Sequence, residues 1–182
     1  MDKDRDQLLV ERCRDGDRAA FTELVIRYQR PIYNAAYRVL GNGEDASDIA
    51  QVVFLRVAER LDDYDPQFRF FSWIYRIALN ESLNLLRRNG RDDPLDDELD
   101  TPAGENAGPE SRASDAEISR RVQAALMKMR PDDRTVLTLR HFSECSYREI
   151  GEILDLDEKR VKSRLFEARQ RLRVLLKDLV PA

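Results

Sequence analysis

The sequence is poor in the residues that form metal centres, catalytic sites and disulfide frameworks. It contains one histidine, two cysteines and no Cys-x-x-Cys pair in 182 residues. These residues are too few for a structural zinc site or a histidine-based catalytic centre. Cys13 and Cys145 lie far apart in sequence, which fits reduced thiols better than a disulfide. We therefore expect no metal, no cofactor and no enzymatic activity.

Turn-forming residues and long apolar runs are also scarce. Glycine and proline number 7 each, whereas hydrophobic residues make up 42% and charged residues 36% of the chain. This composition favours an all-α fold over an all-β fold, which would need more turns. No run of eighteen apolar residues is present, and the N-terminal segment has no signal-peptide core. We expect a cytoplasmic protein with no membrane insertion.

Charge is distributed unevenly along the chain. Its net charge is −4, but residues 91–117 alone carry 10 acidic and 2 basic residues, and residues 118–182 carry 15 basic and 10 acidic residues. The acidic segment contains Pro94, Pro102 and Pro109 and shows no hydrophobic period, as is typical of a flexible linker. We therefore predict a helical domain over 1–90, an acidic linker over 91–117 and a basic helical domain over 118–182.

The second domain contains a helix-turn-helix pattern. Ser146 and Glu149 have the spacing of a capping box, in which each side chain binds the backbone amide of the other residue at the start of a helix. A second helix begins after the turn "DLD", and Val161 and Leu165 begin its apolar stripe. Asp155 stands in the turn where glycine is usual, and aspartate is among the residues that best tolerate such a bend. The spacing predicts two helices of a DNA-binding motif.

The exposed face of this second helix is basic. Arginine and lysine side chains can reach guanine edges or phosphates in the major groove. A basic face is also compatible with an ordinary helix whose charged side chains are solvated. The capped helix that precedes it favours the DNA-binding interpretation. The candidate DNA-binding residues are Lys159, Arg160, Lys162, Ser163 and Arg164.

Several stretches resemble bacterial sigma factors, particularly the compact extracytoplasmic-function (ECF) group. The segments "SYREIGEIL" and "RVKSRLFEARQRL" resemble the promoter-binding C-terminal domain, which reads the minus-35 element. "EDASDIAQVVFLRV" is similar to the helix that binds core RNA polymerase, and "FFSWIYRIALNESLNLLRR" to the helix that engages the minus-10 element. The resemblance implies two helical domains that bind core polymerase and direct promoter-specific transcription initiation. It also implies an anti-sigma factor and a stress or envelope response.

The third predicted helix has apolar residues on two faces. Ile49 and Val53 belong to a core stripe, whereas Val52 and Leu55 lie on the opposite side among polar residues. An exposed apolar patch with a polar surround is typical of a docking surface, although single exposed apolar residues are common. The resemblance places the polymerase contact on this helix, and the candidate residues are Asp48, Gln51, Val52, Leu55 and Glu59.

The stretch "YDPQFRFFSWIYR" is rich in aromatic residues and arginine. Most of these aromatic residues would fit a core. The resemblance implies that the loop before the helix receives an unstacked base of the melted minus-10 strand, for which aromatic and arginine side chains are suited. The sequence does not identify which aromatic residue stacks on the base. The candidate minus-10 residues are Phe68, Arg69, Phe71, Trp73, Arg76, Asn80, Asn84, Arg87 and Arg88.

Two other functions are compatible with parts of the sequence. A stand-alone helix-turn-helix regulator would dimerise and bind a palindrome tightly without polymerase. A nucleic-acid-processing enzyme would need a cluster of catalytic carboxylates, histidines or cysteines, which we do not find. Because the whole chain is acidic, we predict weak promoter binding in the absence of polymerase.

Overall fold

The computed structural model describes residues 3–90 and 109–177, which form eight α-helices and no strand. A 3₁₀ turn at Leu61–Asp63 and a π-helical segment at Thr138–Phe142 connect them. The predicted all-α fold is confirmed. The helices are α1 (Lys3–Arg14), α2 (Arg18–Leu40), α3 (Gly43–Arg60), α4 (Phe70–Arg88), α5 (Pro109–Met127), α6 (Pro131–Leu137), α7 (Tyr147–Leu154) and α8 (Glu158–Leu176).

Most of the predicted acidic linker, residues 91–108, lies outside the described residues. Helix α5 begins at Pro109, inside the range predicted for the linker. Proline is favoured at the first position of a helix because its fixed φ suits the helix and its missing amide hydrogen has no acceptor there. Helix α5 therefore begins N-terminal to the first regularly spaced apolar residues of the second unit.

Helices α1 to α4 form the N-terminal unit. Asp17 and Asn42 cap α2 and α3 by accepting hydrogen bonds from backbone amides, and Gly41 ends α2 at a φ of 76°. The ring of Tyr28 packs edge-on against Phe70, with 5.4 Å between the ring centroids. Because the caps fix where α2 ends and α3 begins, α3 turns back and packs along α2.

Helices α5 to α8 form the C-terminal unit, which contains the predicted helix-turn-helix. The capping box between Ser146 and Glu149 is present at the start of α7. Asp155 ends α7 in the left-handed conformation, with a φ of 54°. Asp157 then caps α8 by accepting a hydrogen bond from the amide of Arg160 at 2.8 Å. The predicted capping box and the predicted non-glycine bend are therefore confirmed.

The two units pack against each other. Helix α4 contacts α7, and α2 contacts α5, α6 and the π-helical segment. The buried apolar residues of both units form one continuous cluster. The sequence predicted two units but gave no indication that they would share an interface.

Candidate nucleic-acid and polymerase interfaces

Helix α8 presents its predicted basic face to solvent. Val161, Leu165 and Ala168 are buried against the rest of the C-terminal unit. Nε of Arg160 lies 3.6 Å from the carboxylate of Asp157, and Nζ of Lys162 lies 3.8 Å from the carboxylate of Glu158. Exposed pairs of this kind contribute at most about 1 kcal/mol, so these cations can exchange a carboxylate for a phosphate at little cost. The other predicted residues on this face are exposed Lys159 and Ser163 and half-buried Arg164.

The aromatic residues before and at the start of α4 differ in exposure. Phe68 is 48% exposed, whereas Phe71 is 7% exposed and packs on Tyr75. Trp73 is half-buried against Tyr64, with ring centroids 5.6 Å apart. The hydroxyl of Tyr64 donates a hydrogen bond to the carbonyl of Phe68 at 2.8 Å and so fixes the loop. Of the three aromatic residues predicted at the minus-10 site, Phe68 has the ring face most open to a base.

The polar residues predicted along α4 form one exposed row. They recur at spacings of three and four residues, so they share one face of the helix. Arg87 donates a hydrogen bond to the side-chain oxygen of Asn84 at 2.9 Å. The exposed members of the row are Arg76, Asn80, Asn84, Arg87 and Arg88.

Helix α3 presents the predicted docking residues. Leu55 is 64% exposed, Val52 is half-buried, and Asp48, Gln51 and Glu59 are exposed. Beside Leu55, a mostly apolar groove of about 720 Å³ runs between α2 and α3. Its apolar lining residues are Phe21, Val25, Tyr33, Ala50, Phe54, Leu55 and Ala58.

Sequence reasoning did not assign the α2 side of this groove. In the sequence, Phe21 and Val25 belong to the apolar stripe of α2, and the structure leaves both half-buried at the groove. The available signal was the width of that stripe, which holds more apolar residues than one buried face of a helix can cover.

The start of α4 contacts α7 through ionic and polar groups. Arg69 forms an ion pair with Glu149, and Ser72 lies at hydrogen-bond distance, 3.2 Å, from the carboxylate of Glu152. Arg76 donates a hydrogen bond to the backbone carbonyl of Glu152. Two predicted minus-10 residues, Arg69 and Arg76, are therefore engaged by the C-terminal unit, together with Ser72, which the sequence did not single out.

Burial opposes the charge on Glu149, but its partners favour it. Hydrogen bonds from the backbone and side chain of Ser146, together with the charge of Arg69, outweigh this desolvation and lower the pKa of Glu149. The carboxylate therefore takes part both in the capping box of α7 and in the contact with α4.

The C-terminal end of α2 is capped by the other unit. Gln123 donates to the carbonyl of Tyr37 at 3.1 Å, and buried Arg134 donates to the carbonyl of Val39 at 2.7 Å. The guanidinium of Arg38 lies over the ring of Phe142, 4.3 Å from its centroid. The carbonyls at the end of a helix carry partial negative charge, so these donors stabilise the contact between the units.

Both cysteines are free. Cys145 is buried, and desolvation raises its pKa to about 12. Burial also raises the pKa of Cys13. Burial therefore disfavours the thiolate, which is the reactive form, at both residues.

Metal-binding clusters and membrane-spanning helices are both absent from the part of the chain that the structure describes. These residues contain no group of three or more His, Cys, Asp or Glu side chains placed to hold a metal ion. Within the same residues, no helix is long and apolar enough to cross a membrane.

Comparison with known proteins gives matches over both units. The family model "Sigma-70 region 2" matches residues 24–92, and "Sigma-70, region 4" matches residues 119–172. The ECF RNA polymerase sigma factor SigW of Bacillus subtilis is 35% identical over 93% of this chain and 96% of its own. The ECF sigma-E factor of Escherichia coli K12 is 34% identical over 91% of each. The structure of CnrH in complex with the cytosolic domain of CnrY has a TM-score of 0.74 and 28% identity, and covers 96% and 98% of the two chains.

Two helical units in this order, the second with a helix-turn-helix, define a bacterial sigma factor, and the chain belongs to the sigma-70 family. Within that family it is an ECF sigma factor. It binds core RNA polymerase and directs promoter-specific transcription initiation. Sigma factors are initiation factors rather than enzymes. The assignment favours this function over the stand-alone regulator that the sequence left open.

Proposed function

We propose that three separate surfaces divide the work of this sigma factor. Polymerase binds the groove between α2 and α3, the minus-10 element binds α4 and the loop before it, and the minus-35 element binds α8. The observation that carries the proposal is that an apolar groove, an exposed polar row with an aromatic residue beside it, and a basic helix face lie on three different elements.

The groove is suited to a helical segment of polymerase. Its walls are mostly apolar, Gln51 of α3 also lines it, and Asp48 and Glu59 are exposed elsewhere on the same helix. A helix-in-groove contact uses an apolar stripe for affinity and polar neighbours for specificity. We assign Leu55 as the central contact because its side chain is exposed beside the groove.

The minus-10 surface would combine stacking with backbone contacts. Phe68 receives an unstacked base, because aromatic rings bind single-stranded bases by stacking. Arg69, Arg76, Arg87 and Arg88 contact phosphates, while Asn80 and Asn84 offer hydrogen bonds to bases. Phe71 and Trp73 support the site by packing beneath it.

The minus-35 surface is the solvent face of α8. Lys159, Arg160 and Ser163 lie in its first two turns, where a recognition helix contacts base edges. Lys162 and Arg164 flank them and contact phosphates.

We further propose that the protein acts in the cytoplasm, has no catalytic chemistry of its own, and is held inactive by an anti-sigma protein until a stress or envelope signal releases it. Support for such control comes from a related protein, since CnrH was solved in complex with the cytosolic domain of CnrY.

Run-off transcription tests the core of the proposal. Purified protein is added to core polymerase with a library of promoter fragments, and new promoter-dependent transcripts are expected. The protein without polymerase should bind the same fragments weakly. If no fragment gives a protein-dependent transcript, or if the protein alone binds a palindrome tightly as a dimer, the proposal is wrong.

A further inference from the structure

We propose that α1 is a positioning element for minus-10 recognition: Arg14 and Gln7 hold the loop of residues 61–69 in the shape that presents Phe68 to an unstacked base. The inference rests on the proposed function of Phe68. It adds two residues that act through the loop rather than on DNA, and both lie outside residues 24–92, which the region 2 family model matches.

The loop of residues 61–69 contains two short turns. The amide of Tyr64 donates a hydrogen bond to the carbonyl of Leu61 at 3.3 Å, and the amide of Phe68 donates one to the carbonyl of Asp65 at 3.2 Å. The carboxylate of Asp65 also accepts a hydrogen bond from the amide of Gln67 at 2.9 Å. These bonds close the turns but lie within the loop, so the position of the loop against the helices depends on donors from elsewhere in the unit.

The side chain of Arg14 binds the first half of the loop. Its Nη2 donates hydrogen bonds to the carbonyls of Leu61 at 2.9 Å and Tyr64 at 2.8 Å, and the carbonyl of Asp62 lies 3.3 Å away. A guanidinium is suited to this contact because it presents several donors in one rigid plane. Arg14 is the last residue of α1, which packs along α2, so this contact ties the loop to the helical body of the unit.

Gln7 binds the loop at a second point. Its Nε2 donates a hydrogen bond to the carbonyl of Pro66 at 3.0 Å. Gln7 and Arg14 are seven residues apart, which places them on the same face of α1 and about 10 Å apart along its axis. Two donors on one rigid helix therefore hold both turns of the loop in register.

Tyr64 connects the Arg14 contact to Phe68. Its carbonyl accepts the hydrogen bond from Arg14, and its hydroxyl donates one to the carbonyl of Phe68 at 2.8 Å. The ring of Tyr64 is buried and packs against Phe70 and Trp73, with centroid distances of 5.5 and 5.6 Å. A loop that is ordered before DNA arrives loses less conformational entropy when a base binds, so Phe68 stacks more favourably in the braced loop.

Promoter opening by the loaded polymerase tests the link between Arg14 and Phe68. Permanganate reactivity of unpaired thymines is compared for the wild type, Arg14→Ala, Phe68→Ala and the double variant. We expect Arg14→Ala to reduce opening roughly tenfold, because a charged donor to the loop backbone is lost, and Arg14→Lys to recover part of it. When Phe68 is already alanine, Arg14→Ala should cause little further loss, because the residue through which it acts is absent.

A second variant and a control separate positioning from general damage. Tyr64→Phe removes only the hydroxyl that holds the carbonyl of Phe68, and it should reduce opening in the same non-additive way. Arg18→Ala removes the same charge from the exposed start of α2 and should open promoters like the wild type. Pull-down of core polymerase should be equal for all these variants, because none of the changed residues lines the α2–α3 groove.

The single tryptophan of the chain reports on the loop in the protein alone. Trp73 is half-buried and packs on Tyr64. In Arg14→Ala and Gln7→Ala, loosening of the loop should shift the emission of Trp73 to longer wavelength and increase its quenching by acrylamide. Arg18→Ala should match the wild type. Circular dichroism should be unchanged in all three variants, because the helices stay folded.

The outcomes distinguish the positioning role from the proposed function. If Phe68→Ala weakens opening but Arg14→Ala and Tyr64→Phe do not, or if they cause the same loss with and without Phe68, positioning by α1 is wrong and the function of Phe68 stands. If Arg14→Ala folds poorly, the cycle with Tyr64→Phe decides. If Phe68→Ala opens promoters like the wild type, the proposed role of Phe68 fails, and positioning through it fails as well.

Discussion

At the scale of single residues, the helix-turn-helix depends on two backbone positions. Asp155 adopts a left-handed conformation, and Gly151 lies where α7 meets the turn. The amide of Leu156 donates a hydrogen bond to the carbonyl of Gly151 at 3.0 Å, which closes the turn. A Cβ atom added at Gly151 would lie 2.5 Å from the carbonyl oxygen of Leu156. The glycine is therefore required by close backbone approach rather than by its φ angle.

We expect Gly151→Ala to destabilise the protein by about 1 to 3 kcal/mol, because the backbone of the turn must move away from the new methyl group. Urea unfolding followed by circular dichroism measures the change. Asp155→Gly is the control: it relieves a left-handed conformation and should cause no comparable loss. Equal stability of Gly151→Ala and the wild type would show that the turn relaxes freely.

A second prediction at the scale of single residues concerns Phe68 at the minus-10 surface. Phe68→Ala should weaken promoter opening by the loaded polymerase by about 1 to 3 kcal/mol, the usual contribution of one stacked base. Permanganate footprinting of unpaired thymines reports the opening. Phe68→Tyr should retain it, and Phe166→Ala, an exposed phenylalanine on α8, serves as the control. Unchanged opening in Phe68→Ala would mean that another group holds the base.

At the scale of elements, α2 and α3 together form a surface that neither helix forms alone. We expect Leu55→Asp to abolish pull-down of core polymerase without loss of thermal stability, because the side chain is already 64% exposed. Ile26→Asp is a matched control on α2, since Ile26 is 65% exposed and lies outside the groove lining. If the two variants bind polymerase equally well, the groove is not the docking site.

Helix α8 gives the second element-scale prediction. Lys159→Ala/Arg160→Ala should change which promoters are transcribed, because each side chain that no longer reads a base reduces discrimination by about 1 to 3 kcal/mol. Polymerase binding should stay intact. Arg173→Ala/Lys177→Ala removes the same charge from the far end of the helix and should not alter promoter choice. Failure of the first variant to bind polymerase would contradict the division between α3 and α8.

At the scale of the whole molecule, the contact between the two units should depend on pH through Glu149. Its pKa is lowered in the folded protein, so its contribution to stability is complete above the unfolded pKa of about 4.5 and is lost as the pH falls through the folded pKa. The groups facing it are Arg69 and the backbone and side chain of Ser146. We expect the radius of gyration to rise below about pH 4.5 in the wild type, with a smaller rise in Glu149→Gln. If the radius of gyration of the wild type and that of Glu149→Gln changed with pH in the same way, Glu149 would not be the group responsible.

The parts that could be predicted from sequence are those set by local chemistry. Ser146 and Glu149 act on backbone groups a few residues away, Asp155 sets the local bend, and these predicted roles are confirmed. Helix α4 spans Phe70–Arg88, which is the segment that the sequence resemblance identified as a helix. The groove could not be found in the same way, because Phe21 and Phe54 come from different helices and become neighbours only after packing.

The sequence by itself determined the all-α fold, the helix-turn-helix, the order of the two units and the family to which the protein belongs, because periodicity, caps and motifs act over short distances. Only the tertiary structure decided that Phe71 is buried while Phe68 is exposed, and that Arg69 and Arg76 face Glu149 and Glu152. Arg134 had no special signature either, yet it caps α2 from the other unit. Contacts between residues about 80 to 95 positions apart depend on how complete surfaces fit and on the balance of desolvation and charge, which no local pattern encodes.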